Sequence, residues 1–291
     1  MFRGDKGVKG RKKDEILRDC IDGNLTNLIN RNVITALVNI FIKCYEFYDE
    51  SEVRVSYTSI FSRDASIKLY EEFKCSKIGN LLVNSLKYIN ELYNVAREVF
   101  DAVFLLKLQL VSRLTINTRN PAIPLEISIS WDPVLNLPYI PSSSLKGIAR
   151  SYIESIKSNI DGVPITTFFG GSGSVGLAIF FDAYPIECSG DSLIEPDVIT
   201  PHYKEVDGGV DEVSSSPTPI VYPTIAPNTV FATIIALKYG YEEGKIVIDP
   251  KKAYEFIRYV QEALTQGIGA KTTLGYGRIR PILSTSNVRQ R

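Results

Sequence analysis

The stretch FLLKLQLVSRLTI, Phe104 to Ile116, is where the hydrophobic period of this chain changes. Leu106, Leu108, Leu110, Leu114 and Ile116 alternate with Lys107, Gln109, Arg113 and Thr115. A period of two puts the leucines on one side of an extended backbone, so the stretch reads as a half-buried strand. Upstream the spacing is helical, with Val33, Leu37, Ile40, Cys44 and Phe47 in one set and Leu82, Leu86, Ile89, Tyr93 and Phe100 in another. Between those sets, residues 51–62 are β-branched and polar and read as a short strand or a loop.

Downstream of the strand, a polar, proline-containing loop leads to SSSLKGIARSYIESIKS from Ser142. The serines suit an N-cap. Leu145, Ile148, Ala149, Tyr152, Ile153 and Ile156 form one apolar helical stripe. GGSGSVG then precedes a second strand over Val175 to Ala183, and VFATIIALKY gives a third over Val230 to Tyr239. Asp249-Pro250 marks a helix start. Ala253, Phe256, Ile257, Val260 and Leu264 share a face of that helix, and YGRIRPIL enters a fourth strand. The order β-α-β-β-α-β is that of an α+β, ferredoxin-like (RRM-like) domain. The expected division is 1–102, a basic arm and helical region packed on the core, and 103–291, the sheet domain. A Pro-rich acidic stretch at about 184–228 reads as a long loop or insertion.

The 291 residues are 44% hydrophobic and 23% charged, ordinary for a globular protein. No apolar run reaches the roughly 18 residues of a membrane span, and no apolar stretch follows the basic N-terminus, so a cytoplasmic protein without membrane contact is expected. The four cysteines are far apart and there is one histidine, which argues against zinc; buried free thiols are expected, with no metal and no cofactor. Net charge is zero, yet Met1 to Lys13 holds six basic residues and one acid. Gly267 to Arg291 holds five basic residues and no acid, and Ile186 to Val213 eight acids and one lysine. That segregation implies one basic and one acidic face.

GIGAKTTLGYGRIR, Gly267 to Arg280, places four glycines beside Lys271-Thr272. A nucleotide loop of the G-x-x-x-x-G-K-[ST] type leaves a strand and enters a helix, whereas this one leaves a helix and enters a strand, with Ala270 before the lysine. Nucleotide binding is therefore disfavoured. Two readings remain. One is a glycine C-cap and turn, with Gly267 as the cap. The other is a loop whose backbone approaches a phosphodiester, with Gly269, Gly275 and Gly277 giving close approach and Lys271, Arg278 and Arg280 giving charge. A second candidate lies on the first helix of the β-α-β-β-α-β unit. Lys146, Arg150 and Lys157 share one face, and Ser142, Ser143 and Ser144 offer hydroxyls and free N–H groups at the helix start, although ordinary capping explains these equally well. In a ferredoxin-like fold the two candidates can converge at one sheet edge.

These residues resemble the RAMP superfamily of CRISPR RNA-binding proteins. YIPSSSLKGIAR (Tyr139 to Arg150) is similar to that family's I-P-G-S-S-L-K-G-x-x-R helix start, and GIGAKTTLGYGRI to its glycine-rich loop before the last strand. FFGGSGSVGLAIFFDAYP and DVITPHY (Asp197 to Tyr203) narrow the resemblance to the sixth-subunit family of the Cmr complex, the type III-B CRISPR effector. The resemblance covers about Phe104 to Leu283, and Ser143 stands where many relatives carry glycine. It implies a non-catalytic subunit for antiviral defence that binds the guide RNA backbone near its 3′ end and caps the filament. The implied partners are guide RNA, target RNA beside it, other Cmr RAMP subunits and small helical subunits. It further implies that target cleavage belongs to a backbone subunit and that Asp182 is structural.

The RNA-binding set expected on this reading is Ser142, Ser143, Ser144, Lys146, Arg150, Gly267, Gly269, Lys271, Thr272, Gly275, Tyr276, Gly277 and Arg278, with Tyr276 stacking on a base. The rival reading is a metal-independent endoribonuclease using His202 and Tyr203 as acid and base. The acidic segment around His202 would repel RNA and favours a structural histidine. A third reading is a protein scaffold, in which the acidic insertion docks a basic neighbour.

Overall fold

The computed structural model describes residues 13–48, 56–200, 204–206, 209–211, 219–242 and 245–290. The basic arm over 3–12 and the His202–Tyr203 pair lie outside the described residues.

Four helices open the chain: α1 (Lys13–Asn24), α2 (Val33–Cys44), α3 (Tyr57–Glu72) and α4 (Gly79–Val99). The expected strand or loop over 51–62 is instead helix from Tyr57 onward. The Ser56 hydroxyl accepts the Ser59 amide at 3.2 Å, an N-cap, and Tyr57, Ile60 and Phe61 recur at helical spacing on the buried side.

The central sheet starts with β1 (Ala102–Leu110), the strand marked by the change of period. It is flanked by β6 (Thr229–Leu237) and β7 (Ile279–Val288), both antiparallel to it. Beyond β6 lies β2 (Ala178–Phe180), giving the order β7-β1-β6-β2, and β3 (Tyr184–Cys188) also pairs with β6. One face carries Phe104, Leu106, Leu108 and Leu110 against α5 (Ser142–Ile156) and α7 (Pro250–Thr265), which contribute Leu145, Ala149, Ile153, Ile257, Val260 and Leu264. The other face is covered as well. Ala96 of α4 packs with Val103, Ile234 and Ala236, and Ile89 packs with Tyr184, Ile186 and Ala232. The fold is thus mixed α+β, with an antiparallel sheet between two layers of helix. The short helix α6 (Ile165–Phe169) leads into a two-residue hairpin, Gly170–Gly171 against Ser174–Val175.

The two helix starts on the first face differ. At α7 the expectation holds: Asp249 accepts the Lys252 amide at 2.9 Å, with Pro250 at the first position. At α5 no serine caps. Pro141 is the N-cap residue without a side-chain bond, and Asp182 reaches across to accept the Ser142 amide at 2.6 Å.

The acidic stretch expected as a loop is largely sheet. Besides β3 it holds a ribbon of β4 (Ile194–Ile199) and β5 (Ile220–Ile225), in register from Ile194↔Ile225 to Ile199↔Ile220. Buried Leu193, Ile194, Tyr222 and Ile225 anchor it, and it packs on α3, where the Ser62 hydroxyl donates to the Val221 carbonyl at 2.9 Å. Its prolines, taken singly, argue against strands. Pro196 pairs with Pro223, so both missing N–H groups fall at one position of a two-stranded ribbon, where the loss to the ladder is least.

The cysteines are not free. Cys20–Cys44 joins α1 to the end of α2, and Cys75–Cys188 joins the α3–α4 connection to the end of β3. The partners stand 24 and 113 residues apart, so spacing alone gives no signal, and only tertiary packing brings each pair to a Cα separation of 5.9 and 5.5 Å. The second bridge sits in a seam where Cys75 donates its amide to the Asp191 carbonyl and Leu193 to that of Phe73.

Candidate nucleic-acid interface

The glycine-rich loop is pinned from within. Ile268 donates to the Gly277 carbonyl at 3.0 Å, Gly277 to that of Arg113 at 2.7 Å, and Ala270 to that of Thr115 at 2.9 Å. Gly267, Gly269, Gly275 and Gly277 all have positive φ. A Cβ on Gly269 would lie 2.3 Å from the Thr115 oxygen, and one on Gly277 1.9 Å from the Ile268 oxygen. Those two glycines are required by backbone packing inside the chain, whatever the loop binds. Gly275 differs, since nothing lies within 4 Å of its Cβ position. The amides of Gly269, Lys271, Thr272 and Thr273 meet no protein acceptor among the described residues.

Helix α5 and this loop converge. Between them lies a cleft of about 520 Å³ lined by Ser144, Gly147, Ile148 and Ser151 of α5, by Gly267 to Ala270 and Thr272 of the loop, and by Ile116 and Asn117. Three of its α5 residues are small and recur at 144, 147 and 151, a stripe beside the apolar one. The sequence reading picked out Ser144 but missed Gly147, Ser151 and Asn117. The i, i+3, i+7 spacing of small residues was the available signal for the first two, while the left-handed φ of Asn117 carried none.

The basic residues of α5 stand apart from that cleft. Lys146 and Arg150 line a second groove of about 460 Å³, closed on its far side by Phe169 to Gly176 except Gly173. The Lys146 ammonium donates to the Ala178 carbonyl at 3.2 Å, and burial, then the charge of Arg150, lowers its pKa. Arg150 pairs with Glu154 at 2.8 Å in an exposed i,i+4 bridge. Lys157 lies elsewhere, 4.3 Å from the Tyr259 ring centre. At the helix start the Ser142 N–H, expected to be free, is occupied by the Asp182 carboxylate, and Ser144 donates to Pro141. Aligned on Leu145-Lys146-Gly147, the motif's glycine falls at Ser142 and not at the expected Ser143, and neither serine has a left-handed angle, so the departure leaves the helix start undisturbed.

Lys271 and Tyr276 turn toward the β4–β5 ribbon. The Lys271 ammonium donates to the Tyr222 hydroxyl at 2.6 Å and lies 4.3 Å from that ring's centre and 5.6 Å from that of Tyr276. The Tyr276 hydroxyl donates to the Asp197 carboxylate. Arg113 completes the cluster with Glu195 at 2.9 Å and Asp197 at 3.5 Å. Burial lowers the Lys271 pKa, against the opposing pull of Asp197. Arg278 is exposed, its guanidinium donating to the Gln266 carbonyl at 2.9 Å and its amide to Ser112 at 3.0 Å. Among the described residues no group of three or more His, Cys, Asp or Glu is placed to hold a metal, and no helix is long and apolar enough to cross a membrane.

The RAMP superfamily model matches residues 107–280, from the second half of β1 through both helices behind the sheet and the glycine-rich loop to the first two residues of β7. The chain belongs to the RAMP superfamily. Among curated RAMP relatives it is 28% identical over 276 residues to the CRISPR system CMR subunit Cmr6 of Saccharolobus solfataricus, an alignment covering 89% of this chain and 91% of that one. It is 30% identical over 119 residues to the Cmr6 subunit of Pyrococcus furiosus, covering 38% and 32%. In fold it matches a chain in the cryo-EM structure of the type III-B Cmr-beta bound to cognate target RNA. The TM-score is 0.70 with 24% identity, over 94% of this chain and 98% of that one. The last likeness is one of fold, and it extends over the N-terminal helices as well as the RAMP-matched region.

Proposed function

We propose that this chain is a non-catalytic, RNA-binding subunit of a type III-B Cmr effector, seated on the guide RNA backbone near its 3′ end and capping the filament. Its frame on this reading is a ferredoxin-like β-α-β-β-α-β unit, residues 103–291, with the helices of 1–102 packed on it. The relatives named Cmr6 support the assembly. The observation that carries the RNA contact is the cleft shared by α5 and the glycine-rich loop, because the two motifs read from sequence as phosphate sites line one concavity. No charged side chain lines it, so hydroxyls and unpaired amides are the groups offered to a phosphodiester. Contacts of that kind read backbone and not base, which suits a guide whose spacer varies. Lys146 and Arg150 in the neighbouring groove, with Arg278 at the loop's exit, supply the flanking charge. Zero net charge supports weak binding by the isolated chain and tight binding only within the assembly.

The test is sequencing of RNA that co-purifies with the tagged complex, alongside a Gly147→Glu variant. Nothing lies within 4 Å of the Gly147 Cβ position, so glutamate fits the helix and puts a carboxylate at the cleft. Short RNAs with one constant repeat-derived end, and loss of crosslinks from this subunit to the guide's 3′ end in the variant, are expected. An intact complex without RNA, or unchanged crosslinks in the variant, overturns the reading.

A further inference from the structure

Lys271 has a property at odds with a phosphate ligand. Its neighbours Ala270 and Thr272 both line the cleft, and Lys271 does not. Its backbone is left-handed, φ 61°, a conformation that side-chain-bearing residues rarely adopt. That turn sends the side chain to the ribbon instead. There the ammonium is held between two tyrosine rings and hydrogen-bonded to Tyr222, which is fully buried. The contacts run onward. The hydroxyls of Tyr222 and Tyr276 interact, Tyr276 donates to Asp197, and Arg113 holds Asp197 and Glu195. Three ribbon residues, Glu195, Asp197 and Tyr222, thus meet the glycine-rich loop and the strand end beneath it. A lysine held there is partly desolvated, and turning it outward to a phosphate would give up its bond to the Tyr222 hydroxyl and its place beside the two rings.

We propose that Lys271 is a positioning residue: it ties the glycine-rich loop to the acidic β4–β5 ribbon, couples the ribbon to the RNA cleft, and touches no phosphate itself. The proposal rests on the RNA-binding reading of the cleft. Ordering the ribbon and ordering the loop then become one event. RNA in the cleft protects the ribbon, and a partner that grips the ribbon tightens the cleft, as linkage requires.

The experiment uses the reconstituted complex, measuring guide RNA affinity against salt concentration for wild type, Lys271→Met, Tyr222→Phe and the double variant. Methionine keeps the length of the stem without charge, and phenylalanine keeps the ring without the hydroxyl. Expected for Lys271→Met is a loss of roughly tenfold in affinity, the scale of one charge-assisted hydrogen bond, with an unchanged salt slope. Tyr222→Phe loses affinity in the same direction, and the double variant is no weaker than Lys271→Met alone. Amide exchange over 194–199 and 220–225 slows on RNA binding in wild type and not in Lys271→Met, a readout that a purely structural lysine would not move. A salt slope lower by about 0.7 in Lys271→Met with Tyr222→Phe like wild type makes Lys271 a phosphate ligand and overturns the proposal. Wild-type affinity in both single variants overturns it too. If Lys271→Met fails to assemble, Tyr222→Phe decides by affinity and exchange. Failure of the underlying RNA reading is separate, because Gly147→Glu would then leave guide affinity untouched.

Discussion

Asp182 accepts the backbone amide of Ser142 at 2.6 Å, so helix α5 starts on a carboxylate supplied by the strand end across from it. Aspartate at a helix N-terminus satisfies an orphan N–H and complements the helix dipole. It also puts negative charge where the three serines suggest an anion site. Asp182→Ala should lower the unfolding free energy by about 1 kcal/mol, and Asp182→Asn by less, because the amide oxygen keeps the bond. Denaturant melts of the three proteins check this. If Asp182 instead served RNA, both variants would lose affinity at unchanged stability.

That bond explains part of what the sequence could and could not reveal. Periodicity located β1, α2, α5 and α7, because each presents one continuous apolar face and needs no distant partner to be recognised, whereas Leu86 of the face expected for α4 is exposed. The cap on Ser142 comes from a residue 40 positions away, so the local serines took the credit. The ribbon was hidden by Pro196 and Pro223, which count against a strand individually and are harmless only as a facing pair. Both site motifs were legible as glycine, serine and cation clusters. Which side of α5 each residue faces was not: 144, 147 and 151 line one groove while 146 and 150 line the other. The residue type of Lys271 points to a phosphate, and its direction is set by a left-handed backbone that no local pattern announces.

The glycines should separate by role. Gly277→Ala sets a Cβ 1.9 Å from the Ile268 oxygen at φ 65°, which forces the loop's backbone to move. A loss above about 2 kcal/mol follows, the left-handed strain alone being roughly 1 kcal/mol. Gly147→Ala lies on a helix with open space and should gain about 0.5–1 kcal/mol. Thermal unfolding of both variants is the measurement, and equal effects would show that the loop relaxes freely.

Reduction should cost stability unevenly. Cys75–Cys188 closes a span of 113 residues and Cys20–Cys44 one of 24. Chain-entropy reasoning gives about 3–5 kcal/mol for such closures, larger for the longer one. Cys75→Ser with Cys188→Ser should therefore lower Tm more than Cys20→Ser with Cys44→Ser. Added dithiothreitol should lower the wild-type Tm toward that of a fourfold serine variant, which itself should not respond. A wild-type Tm that ignores reductant would mean the bridges add nothing to the folded state.

The second groove makes the last prediction. Arg150 holds Glu154 in a bridge whose side chains are 41% and 44% exposed, a contact contributing little and readily exchanged for a phosphate oxygen. Lys146 is less free, because it donates to the Ala178 carbonyl from a partly buried position. In the reconstituted complex Arg150→Ala should lower the salt slope of guide RNA binding by about 0.7 and leave stability unchanged. Lys146→Ala should lower the slope similarly and also cost some stability through the lost carbonyl contact. If RNA crosses α5 between the two grooves, pairing Arg150→Ala with Gly147→Glu should give additive losses, since the two residues then meet different phosphates. A slope unaffected by Arg150→Ala would confine the RNA to the cleft on the glycine-loop side of the helix.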